Sequence, residues 1–370
     1  MFEEFYDVVA NVSRTVRHYE SQFSRPVIGV LPAYFPLELI WAAGGYPVQL
    51  WGNNLPLENS DTYLQSYCCS VAHSVLELEL RGSAKMVQAY AFTSLCDTLI
   101  NLREIYRRLF DKPTVELSIP ITQTDQARKS YLASVLDTVI KDLQKITGQA
   151  INAQSLAEAA QLYGRCRALQ RRLYELRRQN PALMTNRDFY IVIKAGFFLP
   201  PSIYQSMLEG LLAGIEKNHV PDWQRQRLFV SGMLFDPIEI CSILDELEVD
   251  IVDDDFANGW RSVSKGVLNV DNLIDGVAEY LFRSAPCCCV YNPDNDRHAY
   301  ILQRMKDCRA QGVLFWYVKF CEPDAFDRPQ LSKHIKQQGF PVITVEVELS
   351  MRNFEALKTR INAFCEMLEQ

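Results

Sequence analysis

The stretch from Arg25 to Gly52, RPVIGVLPAYFPLELIWAAGGYPVQLWG, constrains the fold more than any other part of the chain. It runs from a short apolar segment through a proline-bounded loop into a helical pattern, then into a second apolar segment. Proline at the first turn and glycines at the end are the boundary signals of a helix. Strand, helix and strand in that order make a parallel βαβ unit.

The theme continues. SVAHSVLELELRG reads as a helix, KMVQAYAFT as a strand, SLCDT as a loop, LINLREIYRRLF as a helix and TVELSIP as a strand. From about Ser130 to Asn218 strand signals vanish in favour of long helical patterns such as YLASVLDTVIKDLQKITG. A second alternating region opens at RLFVSGMLFD and runs through EICSILDELEV, DIVDDDF, HAYILQRMKDCRAQ, GVLFWYV, PQLSKHIKQQG and PVITVEVE to a last helix from about Asn353. The expected fold class is α/β, with two doubly wound, Rossmann- or flavodoxin-like parallel-sheet domains. An N-terminal helix spans 1–25, the first α/β domain 26–128, a helical segment 129–225 and the second α/β domain 226–370. A chain of 370 residues suits two such cores better than one.

The formal net charge of -7 argues against a nucleic-acid partner, since phosphate binding needs clustered lysine and arginine. The local exception, RCRALQRRLYELRRQ from Arg165 to Gln179, reads as a solvated helix face, with a docking surface for an acidic partner as the alternative. No apolar run approaches the roughly 18 residues that span a bilayer. The N-terminus resembles neither a signal nor a transit peptide. A soluble, cytoplasmic protein without nucleic-acid or membrane partners is expected.

Eleven cysteines without an export signal point to packing, a metal site or redox chemistry rather than a disulfide framework. Ligands in open α/β sheets bind beyond the carboxyl ends of the strands. Cys96 in FTSLCDTL and Cys321 in WYVKFCEP follow apolar strands there, each with an acid next in sequence, and Cys69 in SYCCSVAHS opens a helix. A helix N-terminus favours a thiolate. Three thiolates converging on one cleft suit an iron-sulfur cluster with one open iron, and packing is the alternative. Zinc is the competing metal, but none of the five histidines pairs with a cysteine at finger spacing.

Cys287, Cys288 and Cys289 in PCCCVYNP read as strand packing with one of them as a candidate ligand, because neighbours on a strand face opposite ways and cannot easily all ligate one ion. Cys166, Cys241, Cys308 and Cys365 read as helix packing. Asp253, Asp254 and Asp255 offer hard oxygens to magnesium, although helix capping and loop solvation, or a pair with Arg261, is the preferred reading. No Walker motif is present, so ATP chemistry needs another subunit.

Taken in order, GVLPAYFPLELIWAAGGYPVQLWG, YCCSVAHSVLELELRG, SLCDTLINLREIY, AGFFLP, IVDDDF and GVLFWYVKFCEPDAFDRPQL resemble the iron-sulfur subunits of the 2-hydroxyacyl-CoA dehydratase and benzoyl-CoA reductase superfamily. The resemblance implies a 4Fe-4S cluster held by Cys69, Cys96 and Cys321, with Cys68 as a neighbour that competes with Cys69. It also implies a homologous iron-sulfur subunit as heterodimer partner, an ATP-hydrolysing activator that donates electrons from its own cluster, and an acyl-CoA substrate reduced at its thioester carbonyl.

DIVDDDF, AGFFLP and FDRP look closer to the benzoyl-CoA reductases, which reduce an aromatic ring, than to the dehydratase beta subunits, which form an enoyl-CoA. The double-cubane cluster reductases are a more distant likeness. A non-catalytic electron relay is the remaining alternative. His73, one helical turn after Cys69, is the candidate proton donor.

Overall fold

The computed structural model describes residues 1–120, 125–217, 225–282, 285–290 and 296–369. Two four-stranded parallel sheets form its frame. The first contains β1 (Val27–Leu31), β2 (Tyr46–Gln49), β3 (Ala89–Thr93) and β4 (Thr114–Leu117) in the order β2-β1-β3-β4. The second contains β5 (Gln226–Gly232), β6 (Val249–Asp255), β7 (Gly312–Val318) and β8 (Val342–Val347) in the order β6-β5-β7-β8.

The central strands β1 and β3 are buried along their whole length, whereas β4 alternates between half-buried and buried residues. Strands covered by helices on both faces read as unbroken apolar runs, so VIGVL and AYAFT were legible as sequence. In both sheets the strand order reverses at the first strand, which opens a crevice at its carboxyl end. The α/β class and the two-sheet design follow the expectation.

The N-terminal pattern divides into two helices, Glu3–Ala10 and Val12–Phe23, broken at Asn11. Between β4 and β5 lie the helices Asp125–Thr147, Ala153–Gln179, Asn186–Ala195 and Pro201–Ile215. The long helix Ala153–Gln179 starts from a reciprocal capping box between Asn152 and Ser155.

The arginine face of that helix is solvated only at Arg165 and Arg172; the other four arginines are covered, which corrects the reading from charge pattern in part. Arg167 is buried and pairs with Glu38 of the first domain at 2.6 Å. Arg171 donates to the carbonyls of Val263 and Lys265 at 3.0 and 2.9 Å. Arg177 donates to the Ile251 carbonyl and to Asn186, and Arg178 pairs with Asp253 at 3.1 Å. Sequence spacing shows that the arginines share a face, but not that carbonyls and carboxylates of both domains close over it.

Cys287–Val290 is likewise not a strand. The two end residues form an isolated antiparallel bridge around a tight turn. The alternation argument fails there, and the three thiols lie within 4.8 Å of one another.

Replacing Arg167 by methionine leaves the fully buried Glu38 carboxylate without its counter-charge. Chemical denaturation is expected to show a loss of about 3–5 kcal/mol. Adding Glu38→Gln to Arg167→Met should recover most of that loss, since the uncompensated charge is what costs.

Candidate functional site

Cys69, Cys96 and Cys321 hold one structural position in common. Each is the residue just before a helix, Ser70–Leu80, Asp97–Leu109 and Glu322–Gln337 respectively, and each has extended backbone angles. Cys96 follows β3 and Cys321 follows β7, the strands at the same place in the two sheets.

The helix after Cys321 begins earlier than its sequence implied. Pro323 sits in its first turn, where a missing N–H costs nothing, and Pro329 is accommodated inside it. Before Cys321, Phe320 adopts a left-handed φ of 62°, a conformation that costs an L-residue about 1–2 kcal/mol.

All three cysteines line one narrow apolar cleft between the domains, with Trp51, Leu99, Met233, Val318 and Phe320 among its other walls. Ser70, the first residue of the Cys69 helix, accepts a hydrogen bond at 3.1 Å from the Leu349 amide just beyond β8. That bond ties the Cys69 turn of the first domain to the second domain that carries Cys321.

Burial pushes all three thiols up. Cys96 reaches about 11, against the opposing pull of the Leu99 and Thr98 amides and with a further push from Cys69. Cys69 is raised by burial although the Ala72 and Val71 amides favour its thiolate. Cys321 is raised well above the ordinary value by burial, then by Asp324 and Cys69. Burial therefore favours the neutral thiols near pH 7, under backbone amides that stabilise the anion.

The donor set fits an iron-sulfur cluster. Its donors are soft sulfurs, its walls are apolar, and three positive helix ends face an anionic group. The three thiols do not all come within 4.8 Å of one another, so they span more than a single ion requires. Cys68, half-buried, is not among the lining residues, whereas Cys69 is.

His73 lies outside the cavity wall. Its Nδ1 is 3.1 Å from Ser60 Oγ and 3.2 Å from Asp61 Oδ1, and its Nε2 is 3.2 Å from the Gln65 carbonyl. Both ring nitrogens are thus engaged on the loop 60–65. One turn further, Glu77 fixes the start of that loop by accepting from the Asn59 and Ser60 amides and from Arg81.

The acids of β6 are paired. Asp253 binds Arg304 and Arg178, Asp254 accepts from Tyr174 and Tyr190, and Asp255 binds Arg261 and Arg297. Capping and ion pairing account for them without magnesium. Cys166, Cys241, Cys308 and Cys365 are buried, as packing requires.

A second, narrow cavity shares Trp51 with the first. Arg167, Lys265, Tyr34 and Tyr280 line it, and the Lys265 amine lies 3.7 Å from the Tyr280 ring centre and 4.2 Å from that of Tyr34. Burial holds Lys265 well below the usual lysine range. Trp51 Nε1, in its wall, is buried without a hydrogen-bond partner among the described residues. Sequence reasoning missed this cavity because its walls come from separate segments with no shared spacing.

Residues 32–368 match the family described as 2-hydroxyglutaryl-CoA dehydratase, D-component. The chain belongs to this family. It is 28% identical over 368 residues to the (R)-phenyllactyl-CoA dehydratase beta subunit of Clostridium sporogenes, covering 99% of this chain and 98% of that one. It is 27% identical to the (R)-2-hydroxyglutaryl-CoA dehydratase beta subunit of Acidaminococcus fermentans, covering 100% and 99%. Identity to a benzoyl-CoA reductase subunit of Thauera aromatica is 25%, covering 95% and 92%. The superfamily expected from the ordered sequence tracts is therefore the one matched. Among the described residues no helix is long and apolar enough to cross a membrane.

Burial alone would raise the Glu77 carboxyl, but Arg81, Asn59 and Ser60 outweigh it and hold the group down at about 2. A depressed carboxyl stabilises the fold fully above its ordinary value of 4.5, and the contribution fades as pH falls through about 2. Glu77→Gln should cost about 1–3 kcal/mol at pH 7 and flatten the acid limb of a stability–pH curve between those values.

Proposed function

We propose that this chain is the beta-type, cluster-carrying subunit of a radical acyl-CoA enzyme that dehydrates a 2-hydroxyacyl-CoA. The observation that carries the reading is the meeting of three thiols from residues that precede helices, two in the first domain and one in the second, on one apolar cavity. The matched family and two dehydratase beta subunits aligned end to end support dehydration ahead of aromatic-ring reduction. Benzoyl-CoA reduction, which the DIVDDDF, AGFFLP and FDRP tracts favoured, is the second reading, kept by the full-length similarity to a benzoyl-CoA reductase subunit.

In this reading Cys69, Cys96 and Cys321 hold a 4Fe-4S cluster, which when bound supplies one-electron chemistry at low potential. The residues around it do the rest. Phe320, Val318 and Leu99 exclude water from the sulfur ligands, and the helix amides after each cysteine offset negative charge. Trp51 separates this cavity from the one holding Lys265 and Arg167, which we assign to the acyl group. Lys265, short of charge through burial, and Arg167 are the donors available to a thioester carbonyl there. His73 acts by holding the loop 60–65 in place, because both its nitrogens are engaged. The enzyme is completed by a homologous subunit, and an ATP-hydrolysing activator delivers the electrons.

Iron, acid-labile sulfide and EPR on protein prepared without oxygen test the centre. About four irons per chain are expected. Cys69→Ala, Cys96→Ala and Cys321→Ala should each abolish the signal, while Cys68→Ala should keep it. No iron in the unaltered chain would sink the reading. Because the thiols start protonated, loading should release protons and tighten as pH rises from 7 to 9.

Turnover of 2-hydroxyacyl-CoA against benzoyl-CoA, with the partner and the activator added, separates the two branches. Lys265→Met should weaken acyl-CoA binding at least about tenfold if the second cavity takes the acyl group. Unchanged binding in that variant would place the substrate on the partner and leave this chain an electron relay.

A further inference from the structure

The Cys287–Val290 turn gathers more sulfur than the cluster reading uses. Val290 donates to the Cys287 carbonyl at 3.1 Å, closing the turn, and the Cys289 amide approaches Cys287 Sγ at 3.4 Å. The three thiol sulfurs all lie within 4.8 Å of one another. A fourth sulfur faces them from the loop after β5: Met233 Sδ lies 3.6 Å from Cys288 Sγ and 3.8 Å from Cys289 Sγ. Two sulfurs bound to one tetrahedral ion at about 2.3 Å stand about 3.8 Å apart. The Met233 contacts have that spacing before any ion is bound.

The surroundings match the sulfurs. Arg261 Nη1 donates to Cys287 Sγ at 2.9 Å and to Met233 Sδ at 3.3 Å, so it would have to release Met233 when an ion binds, and Arg261 is itself fully buried and fixed by Asp255 at 3.1 Å. A charged donor behind a ligating sulfur sets its orientation and offsets the charge of several thiolates. Three thiolates and a thioether are soft ligands that favour cations such as Cu(I) or Zn(II) over calcium or magnesium. The set is compact where the Cys69, Cys96 and Cys321 set is wide.

We propose that Cys287, Cys288 and Cys289, with Met233 as fourth sulfur, form a separate mononuclear site for one thiophilic d10 cation, set into the wall of the shared cavity and backed by Arg261. Cys289 and Met233 also face that cavity, so an ion held there closes its wall. The site does not depend on which acyl-CoA reaction the enzyme performs.

Cd(II) titration under anaerobic conditions tests it, using the full chain with Cys69, Cys96 and Cys321 all replaced by alanine. One Cd(II) per chain is expected, with near-ultraviolet thiolate-to-metal absorption and a 113Cd shift in the sulfur-rich range. Cys288→Ser in that background should weaken binding at least about tenfold. Met233→Leu, which keeps the volume, should weaken it while leaving the far- and near-ultraviolet circular dichroism of the fold unchanged.

In the otherwise unaltered chain, Cys288→Ser should leave iron and sulfide content as they were. Absence of stoichiometric Cd(II), or binding that survives serine at all three positions, would overturn the site. Loss of iron in Cys288→Ser alone would also overturn it, by making these thiols part of the larger cluster.

Discussion

Arg167 reaches from the long helix Ala153–Gln179 to Glu38 in the first domain, and further along the same helix Arg177 and Arg178 hold β6 of the second. A cavity walled by two domains exists only while their strand ends keep a fixed separation. Two domains docked through a small, polar interface move relative to each other by default. Here guanidinium groups with several directional donors reach carboxylates and carbonyls on both sides, and Arg167 and Arg177 are buried where solvent cannot compete. Thiols supplied by both domains could not otherwise line one cavity.

The shared strand order gives the site its second regularity. Each sheet places its third strand beside the reversal point, and each of those strands is followed three residues on by a cysteine that immediately precedes the next helix. A thiol at that position meets the unpaired amides of the first helical turn. Burial and amide donation act in opposite directions on it: burial favours the neutral thiol, and the amides favour the thiolate. Serine or aspartate would cap the helix more strongly but would offer a hard oxygen instead of a soft sulfur.

What could be read in the sequence follows from how local each signal is. The strands were legible because both faces are covered, so burial writes itself as an apolar run. Cys69, Cys96 and Cys321 stood out because strand end and helix start are features of adjacent residues. The arginine face was misread because its partners, Glu38, Ile251 and Asp253, lie far away in sequence. Cys287–Cys289 was misread for the opposite reason: a local rule was applied, but the residues form a turn, in which neighbouring side chains need not alternate. His73 shares its helix with Cys69, yet which way its ring points is set by Ser60, Asp61 and Gln65, which no spacing rule ties to it.

The acids of β6 show how the two sulfur sets are kept apart. Side chains on a strand alternate, so Asp253 and Asp255 share one face while Asp254 takes the other. Asp254 meets Tyr174 and Tyr190, on helices that link the domains. Asp253 and Asp255 meet Arg304 and Arg297, which stand two turns apart on one face of the helix Arg297–Asp307. Asp255 also holds Arg261, and Arg261 holds Cys287. The position of the cysteine turn is thus passed from the strand through buried charge pairs, each left costly to break by the lack of water around it. The wider cysteine set depends on helix ends instead, so a change in one set need not carry over to the other.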